Sequence, residues 1–164
     1  MDYWPNVDAV GWFAEQAWPV IRRQVPNARF FIVGMRPTPE VSKLAEQPGI
    51  TVTGAVPDVR PYLAHAHGAI LPLRIARGIQ NKVLEAMAMQ LPIIGTAGAL
   101  TGIAPCAGFK PIISESADTL ADSASRLLRQ PRRADSAARA CVLQRYNWDA
   151  NLQRIVRLLE TGQV

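Results

Sequence analysis

The sequence is poor in cysteine and in aromatic residues, and it contains no long apolar run. Its two cysteines, Cys106 and Cys141, show neither metal-site spacing nor a disulfide framework, which predicts reduced thiols in a cytosolic protein. No stretch approaches the roughly 18–20 apolar residues that cross a bilayer, and no signal peptide precedes the first helical pattern. With 164 residues and 49% hydrophobic content, the chain is predicted to form one globular cytoplasmic domain with its own core.

Several kinds of site are also missing from the sequence. No Gly-x-Gly-x-x-Gly follows a predicted strand, which argues against a nicotinamide dehydrogenase. No acidic cluster is present, and His65 and His67 have no further ligands nearby, so we predict no metal and give both histidines a surface or packing role. The tryptophans are expected to pack in the core or at its edge rather than to stack on a sugar: Trp4, Trp12, Trp18 and Trp148.

Basic residues outnumber acidic ones, and the net charge of +5 is concentrated in the C-terminal third. Two interpretations stay open: these arginines line solvated helix faces, or they attract an anionic membrane surface or an anionic substrate. Nucleic acid is not expected as a partner, because no aromatic residues are interleaved with the basic ones. The residues concerned are Arg126, Arg129, Arg132, Arg133, Arg139, Arg145, Arg154 and Arg157.

Strand-like and helix-like patterns alternate along the chain. Apolar runs predict strands at residues 29–33, 50–53, 69–73, 92–96 and 110–113. Helical spacing predicts a helix at 6–24 that Pro19 bends or interrupts, another at 38–47 with Thr38 as N-cap, a short one at 57–63, and three helical pieces between 116 and 159. The alternation predicts an α/β fold, a Rossmann-like parallel sheet with helices on both faces.

Four loops of the predicted sheet fall on the edge where such sheets bind ligands. In open α/β sheets, ligands lie beyond the carboxyl ends of the strands. The residues predicted at those ends are Gly34, Gly54, 73–78 and 96–102. We therefore expect these four loops to converge on one crevice.

The stretch at residues 77–89 predicts a tight turn that leads directly into a helix. Gly78 lacks a Cβ, so the backbone there can turn sharply or approach a ligand closely. Asn81 is a suitable N-cap, and the apolar residues that follow have the spacing of a helix with one buried side. Pro92 closes the segment.

This arrangement predicts a phosphate site. The free N–H groups and the positive dipole end of the helix point back at the Gly78 turn, and Lys82 adds a full positive charge. Glu85 lies one turn further in, where a carboxylate can accept hydrogen bonds from a ribose attached to the phosphate. The alternative is a buried helix with a polar first turn and no ligand.

The same stretch resembles the donor-site motif of group 1 (family 4) retaining glycosyltransferases of the GT-B type. Residues 84–88, Leu-Glu-Ala-Met-Ala, and residues 91–94, Leu-Pro-Ile-Ile, match the second half of that motif. Arg77 replaces the first glutamate of the family pattern. The sequence of residues 78–82 resembles the corresponding stretch in a subgroup of sugar transferases that take part in exopolysaccharide assembly.

The resemblance extends over the whole chain, to the C-terminal half of these enzymes. Residues 26–34 resemble their helix-to-strand junction, residues 50–62 the strand and loop that hold the nucleotide base, and residues 146–148 their closing segment. The resemblance implies that residues 1–164 are the nucleotide-sugar-binding domain, without the N-terminal acceptor domain of the same enzyme. Because the family places a central strand before the helix near Asn6, we expect a truncated piece that binds nucleotide weakly and transfers no sugar alone.

The resemblance also implies a reaction. A sugar would pass from a nucleotide-diphosphate sugar to a hydroxyl with retained anomeric configuration, and no metal or cofactor would be needed if amides and a cation neutralise the pyrophosphate. The acceptor would be a saccharide or a lipid-linked saccharide. The residues assigned to the donor are Gly34, Ala55, Val56, Asp58, Arg74, Gly78, Ile79, Lys82 and Glu85, with Arg77 and Glu85 as the catalytic candidates.

Several alternatives stay open at this stage. Arg77 cannot accept hydrogen bonds from sugar hydroxyls, so it pairs with a phosphate, pairs with an acidic sugar or faces solvent. Arg74 either takes over the role of a basic turn upstream or is an ordinary surface arginine. A nucleotide-sugar epimerase and a non-catalytic binding or scaffold domain are the competing functions, and peripheral contact with an anionic inner membrane is the alternative to a purely cytoplasmic location.

Overall fold

The computed structural model describes residues 1–147 together with residues 152, 156, 159 and 160. The predicted closing helix at 148–159 therefore lies largely outside the described residues, as do Trp148, Arg154 and Arg157; residues 152, 156 and 159 are helical. The helices are α1 (Trp4–Gln16), α2 (Trp18–Gln24), α3 (Pro39–Lys43), α4 (Arg60–His65), α5 (Asn81–Ala88), α6 (Ala117–Leu128) and α7 (Ser136–Arg145). The strands are β1 (Phe30–Val33), β2 (Ile50–Gly54), β3 (Ala69–Leu71), β4 (Ile93–Gly95) and β5 (Ile112–Ile113), and 3₁₀ turns lie at Leu44–Glu46 and Ala97–Leu100.

Two helices occupy the segment predicted at residues 6–24, so of the two effects expected of Pro19, a bend or an interruption, the structure shows the interruption. The break lies at Ala17, two residues before Pro19. Proline has no N–H to donate to the preceding turn, so it is accommodated in the first turn of a new helix, where that N–H has no intrahelical partner. Pro5 occupies the same kind of position in α1, which begins at Trp4.

All strand pairs are parallel, as predicted, but the described strands form two sheets instead of one. β1 pairs with β2, and β3, β4 and β5 pair in that order. Short strands follow from short apolar runs, and β5 has only two residues where four were predicted.

Two clusters of buried side chains lie on opposite faces of β4. Ile94 belongs to a cluster with Phe13 of α1 and Leu120 of α6, whereas its neighbour Ile93 belongs to a cluster with Met87 of α5. Successive side chains of a strand point to opposite faces, so β4 separates the two clusters. The predicted layering, with helices on both faces of a parallel sheet, is confirmed.

The two cysteines form a disulfide, so the prediction of reduced thiols was wrong. Cys106 lies in the long loop before β5, and Cys141 lies in α7, with their Cα atoms 5.7 Å apart. No local pattern indicates this pairing, because 35 residues and the whole of α6 separate the two positions.

Three exposed arginines of the C-terminal third donate to carbonyls at the ends of other helices. Arg129 donates to the carbonyl of Gln24 at the end of α2 (3.1 Å), and Arg132 to Ala66 after α4 (2.8 Å). Arg139 donates to Ala88, the last residue of α5 (2.8 Å). Cations at these carbonyls satisfy unpaired acceptors and complement the negative end of each helix dipole. None of the helices in the described part of the chain is long and apolar enough to cross a bilayer.

The described tryptophans differ in their surroundings. Trp18 is buried, as predicted, and donates its indole N–H to the carbonyl of Pro48 (3.1 Å). Trp12 is half-buried beside the first cluster. Trp4 is 59% exposed at the first residue of α1, so the packing role predicted for it was wrong.

Candidate functional site

The turn before α5 is closed by a side chain that the sequence analysis did not assign. Gln80 donates its amide to the carbonyls of Arg77 (3.1 Å) and Gly78 (3.3 Å). Gly78 has φ +67° and is exposed, with nothing near the position of an added Cβ. This left-handed conformation suits glycine, because other residues pay a steric penalty there. The hydrogen bonds of Gln80 occupy the carbonyls of the turn.

The first amides of α5 are open donors. Gln80, not Asn81, is the N-cap residue: its carbonyl accepts from Val83 N–H (2.9 Å), and Asn81 is the first helical residue. The predicted cap at Asn81 was therefore wrong, since the glutamine side chain already closes the turn. No hydrogen bond from the Asn81 or Lys82 amide is found within the described residues. Such amides at a helix N-terminus attract anions.

One side of α5 is buried and the other carries the charged side chains. Val83, Ala86 and Met87 are buried in the second cluster. Glu85 is exposed, so the carboxylate predicted to hold a ribose lies outside the core. Because residues three apart lie on the same helix face, Lys82 and Glu85 are neighbours.

Lys82 is the half-buried cation of this site. Its ammonium donates to the side-chain oxygen of Asn6 in α1. Burial lowers the pKa of Lys82 from the ordinary value of 10.5, and the nearby Glu85 carboxylate opposes that shift. The positive charge is therefore partly desolvated, and its attraction for an anion is stronger than it would be in water.

Arg74 is held by α1 as well. Its guanidinium donates two hydrogen bonds to the Asp8 carboxylate, one of them 3.0 Å long from Nε, and lies 5.6 Å from the centre of the Trp12 ring. The hydrogen bonds with Asp8 raise the pKa of Arg74. Arg74 is thus neither a free cation nor an unconstrained surface residue.

Two of the four predicted loops lie directly against each other. Thr96 is fully buried and donates its hydroxyl to the carbonyl of Leu73 (2.6 Å). Gly102 packs on the Gly78 turn, since a Cβ added to it would lie 3.2 Å from the amide nitrogen of Ile79. The 73–78 and 96–102 loops therefore form one continuous edge around the beginning of α5.

The other two loops also pair, and the start of the chain contacts both pairs. Gly34 N–H donates to the carbonyl of Gly54 (3.3 Å), and the Met1 side chain packs on Gly34. A few residues later, Asn6 and Asp8 reach Lys82 and Arg74. Sequence reasoning missed Asn6 and Asp8, because their partners lie 76 and 66 residues away and no local pattern marks them.

The segment predicted to hold a nucleotide base carries an internal ion pair. Asp58 accepts from the Arg60 amide (2.9 Å) and guanidinium, and these hydrogen bonds lower the pKa of Asp58. Ala55 is exposed and Val56 is half-buried. Asp58, which lies before the N-cap residue Val59, thus satisfies the amide of Arg60, the first residue of α4.

Arg77 is exposed and, within the described part of the chain, forms no hydrogen bond or ion pair through its guanidinium. His65 ends α4 and His67 follows it. The residues that the structure describes contain no cluster of three His, Cys, Asp or Glu side chains that would hold a metal.

Comparison with known families gives one match over most of the chain. The model of the family described as glycosyl transferases group 1 matches residues 1–130. This range includes the Gly78 turn, α5 and the loops on the same edge. No curated protein matches the sequence.

Solved structures give the same fold. The structure of HepE from Anabaena, in complex with UDP and glucose, superposes with a TM-score of 0.64 at 13% identity, covering 89% of this chain and 45% of that one. AviGT4, a glycosyltransferase involved in avilamycin A biosynthesis, superposes with a TM-score of 0.59 at 19% identity, covering 90% of this chain and 48% of that one. The chain thus spans less than half the length of either structure.

Proposed function

The chain belongs to the glycosyl transferases group 1 family, and from that premise we propose that it binds the nucleotide-sugar donor of a glycosyltransferase. The observation that carries this proposal is the start of α5, where open amides, Lys82 and Glu85 lie on one exposed edge. The family match covers this edge, and one structure of the same fold was solved with UDP and glucose.

The pyrophosphate and the ribose of the donor would be bound by different groups of α5. Amides of Asn81 and Lys82 and the Lys82 ammonium would bind the pyrophosphate, with Gly78 and Ile79 allowing close approach of backbone to ligand. Glu85 would accept hydrogen bonds from the ribose hydroxyls, about 5 Å further along the helix axis. This division follows the chemistry of the groups, because cationic donors suit phosphates and a carboxylate suits hydroxyls.

The base and the sugar of the donor would lie on either side of these phosphate and ribose contacts. Ala55, Val56 and Asp58 would line the base, near Gly34, and the Asp58–Arg60 ion pair would keep that loop in place. Arg77, exposed and without a described partner, would approach the donor phosphate or an acidic sugar. Arg74, which Asp8 holds in place, would contribute positive charge near the donor.

For the complete enzyme, we infer transfer of a hexose-like sugar to a hydroxyl with retention, as in family 4. Positive charge from amides and Lys82 would stabilise the leaving pyrophosphate without a metal. A second domain would bind a saccharide or lipid-linked acceptor at the cytoplasmic face of a membrane, in exopolysaccharide assembly. A further strand beside β1 or β3 is consistent with the strand order, since in the described residues each pairs on one side only.

The test is a calorimetric titration with UDP, GDP and ADP, each compared with its free nucleoside. We expect one diphosphate to bind at least about tenfold more tightly than its nucleoside, which corresponds to roughly 1.4 kcal/mol from the phosphate contacts. Equal binding of diphosphate and nucleoside would remove the phosphate site, and no binding of any compound would contradict the donor-binding function.

A non-catalytic binding domain is the second candidate, because one observation favours it. Arg74 and Lys82 are both already engaged by side chains of α1. If these contacts persist when nucleotide is bound, the site holds the ligand without reorganising for transfer. Sugar transfer by the complete protein to a saccharide acceptor would exclude this candidate, whereas tight donor binding with no turnover would support it.

A further inference from the structure

The segment 102–108 runs along α7 and is attached to it at three points. A Cβ at Gly108 would lie 3.2 Å from the Cβ of Ala137. Cys106 is joined to Cys141 by the disulfide. Ala104 donates its N–H to the Tyr146 hydroxyl (2.8 Å).

The three attachments follow one another in opposite directions along the segment and α7, and the segment ends in a turn at residues 107–108, where Phe109 N–H donates to the carbonyl of Cys106 (3.3 Å). Each step back of two residues along the segment corresponds to four or five residues forward along α7. The segment therefore contacts α7 at Ala137 and Cys141, and it contacts Tyr146, the residue that follows the helix.

The far end of this segment reaches the proposed phosphate turn. Gly102 packs against Gly78 and Ile79, and the Tyr146 hydroxyl also lies 3.5 Å from the carbonyl of Gly102. α7 is attached to the other end of α5 as well, through Arg139 and Ala88. One helix therefore contacts both the C-terminal end of α5 and the loop that covers its N-terminal turn.

We propose that α7 positions the phosphate turn through the Cys106–Cys141 disulfide and Tyr146, so that reduction of the disulfide weakens the binding of a nucleoside diphosphate. This inference rests on the function proposed above for the same site. Tyr146 and the cysteines act as positioning residues, because they hold segment 102–108, whose Gly102 packs on the Gly78 turn. A turn held in its bound conformation loses less conformational freedom when ligand binds.

The chemistry of the switch is thiol–disulfide exchange with a small dithiol. A thiolate of the dithiol attacks one sulfur, the Cys106–Cys141 bond breaks, and the mixed disulfide is resolved by the second thiol of the reagent. The protein gains two electrons and two protons, and the reagent leaves as a cyclic disulfide. Cys106 is half-buried beside exposed Pro105 and Ala107, whereas Cys141 is buried, so attack is expected at Cys106.

The binding test compares the oxidised chain with the chain treated with dithiothreitol, using UDP, GDP and ADP as ligands. We expect reduction to weaken the binding of the preferred diphosphate about three- to tenfold. The double variant Cys106→Ser/Cys141→Ser should show the weaker affinity with or without dithiothreitol. Tyr146→Phe, which keeps the ring and removes the hydroxyl, should weaken binding further in the double variant. Unchanged affinity on reduction would overturn the inference.

A second measurement does not depend on any ligand. Amide hydrogen exchange should accelerate on reduction at Ile103 and Val83, whose N–H groups are hydrogen-bonded to Leu100 and Gln80, and stay unchanged at Ile32 of β1. If no diphosphate binds the oxidised chain, the donor-binding function fails, while the exchange rates still decide whether α7 positions the turn. Equal exchange at Val83 in both redox states would overturn the positioning role.

Discussion

Glu85 is an exposed carboxylate one turn into α5, and we assign it to the ribose of the donor. We predict that Glu85→Ala weakens the binding of the preferred nucleoside diphosphate by about tenfold or more, because a charge-assisted hydrogen bond contributes about 1.5–3 kcal/mol. The free energy of unfolding should change little, since the side chain is exposed. Calorimetry and urea denaturation measure the two effects.

Glu15→Ala is the matched control, because Glu15 is also an exposed helical glutamate. Its affinity for nucleotide should equal that of the wild type. If Glu85→Ala binds as tightly as Glu15→Ala, the ribose assignment is wrong. If both variants lose affinity equally, the effect comes from net charge rather than from one contact.

Lys82 is expected to make nucleotide binding weaker at alkaline pH. Burial lowers the pKa of Lys82 from 10.5, so the group loses its charge at a lower pH than an ordinary lysine. We predict that diphosphate affinity declines as the pH rises towards 10.5, earlier than for a surface lysine, and that Lys82→Met binds weakly without this decline. Calorimetric titrations at a series of pH values provide the measurement.

The lowered pKa of Lys82 affects stability in the opposite direction: as the pH rises, nucleotide affinity falls but the stability of the fold increases. Between the lowered pKa of folded Lys82 and the unfolded value of 10.5, the unfolded chain binds more protons, so this group's contribution to stability increases as the pH rises. Below that range the buried charge is unfavourable, and Lys82→Met should be at least as stable as the wild type in urea. A strongly destabilised Lys82→Met would show that the bond to Asn6 outweighs the cost of burial.

Local spacing was enough to predict some residues of the candidate site but not their partners. Gly78, Lys82 and Glu85 follow from the pattern of one turn and one helix, and all three lie on the exposed or half-buried side of that helix start. Asn6 and Asp8 were not predictable, because only the folded chain brings α1 beside the loop after β3.

The turn between β3 and α5 depends on the left-handed backbone conformation of Gly78, and substitution tests this dependence. Gly78 and Gly54 have nearly the same positive φ, +67° and +68°, and neither has an atom near the position of a Cβ. Alanine at either position should cost about 1–2 kcal/mol in stability, because L-residues are strained in this conformation. We predict that Gly78→Ala also weakens diphosphate binding severalfold relative to the free nucleoside, whereas Gly54→Ala, next to the loop assigned to the base, changes the two affinities by the same factor.

Thermal denaturation and calorimetry on the two glycine variants give the comparison. Equal stability losses would confirm that the backbone strain is matched. If Gly78→Ala then weakens the binding of diphosphate and nucleoside by the same factor, the phosphate turn has no special role, and a general loosening of the chain explains the result.

The elements themselves were largely predictable, and their exceptions have physical causes. Helical and strand spacing located α3, β2 and α6, and Thr38 caps α3 as predicted, accepting from Val41 N–H (3.3 Å). The break between α1 and α2 lies near Pro19, where a bend or an interruption was predicted, whereas the cap at Gln80 was missed because spacing alone does not determine the first residue of a helix.

Across the whole molecule, the C-terminal arginines connect elements that are distant in sequence. We predict that Arg139→Met lowers the free energy of unfolding by about 0.5–1.5 kcal/mol, because it removes a hydrogen bond to the exposed end of α5. Arg126→Met is the control, since Arg126 is an exposed arginine of α6 for which the described contacts include no hydrogen bond. Urea denaturation of both variants decides, and equal losses would contradict a capping role.

The class of fold followed from the alternation of strands and helices, and β4 with a cluster on each face confirms it. The division into two sheets did not follow, because strand order depends on contacts between distant segments. The disulfide likewise depends on the placement of α7 beside the 102–108 segment. Local pattern thus determined the layers, whereas long-range contacts determined how they are joined.

The central claim is that the start of α5 grips the diphosphate of a nucleotide. Its most direct test is a titration of the ¹⁵N-labelled chain with UDP, GDP and ADP, followed by two-dimensional NMR. We predict that the largest amide shifts for the preferred ligand occur at Gly78, Ile79, Asn81 and Lys82. Saturable shifts confined to other parts of the chain, with these four amides unchanged, would contradict the account.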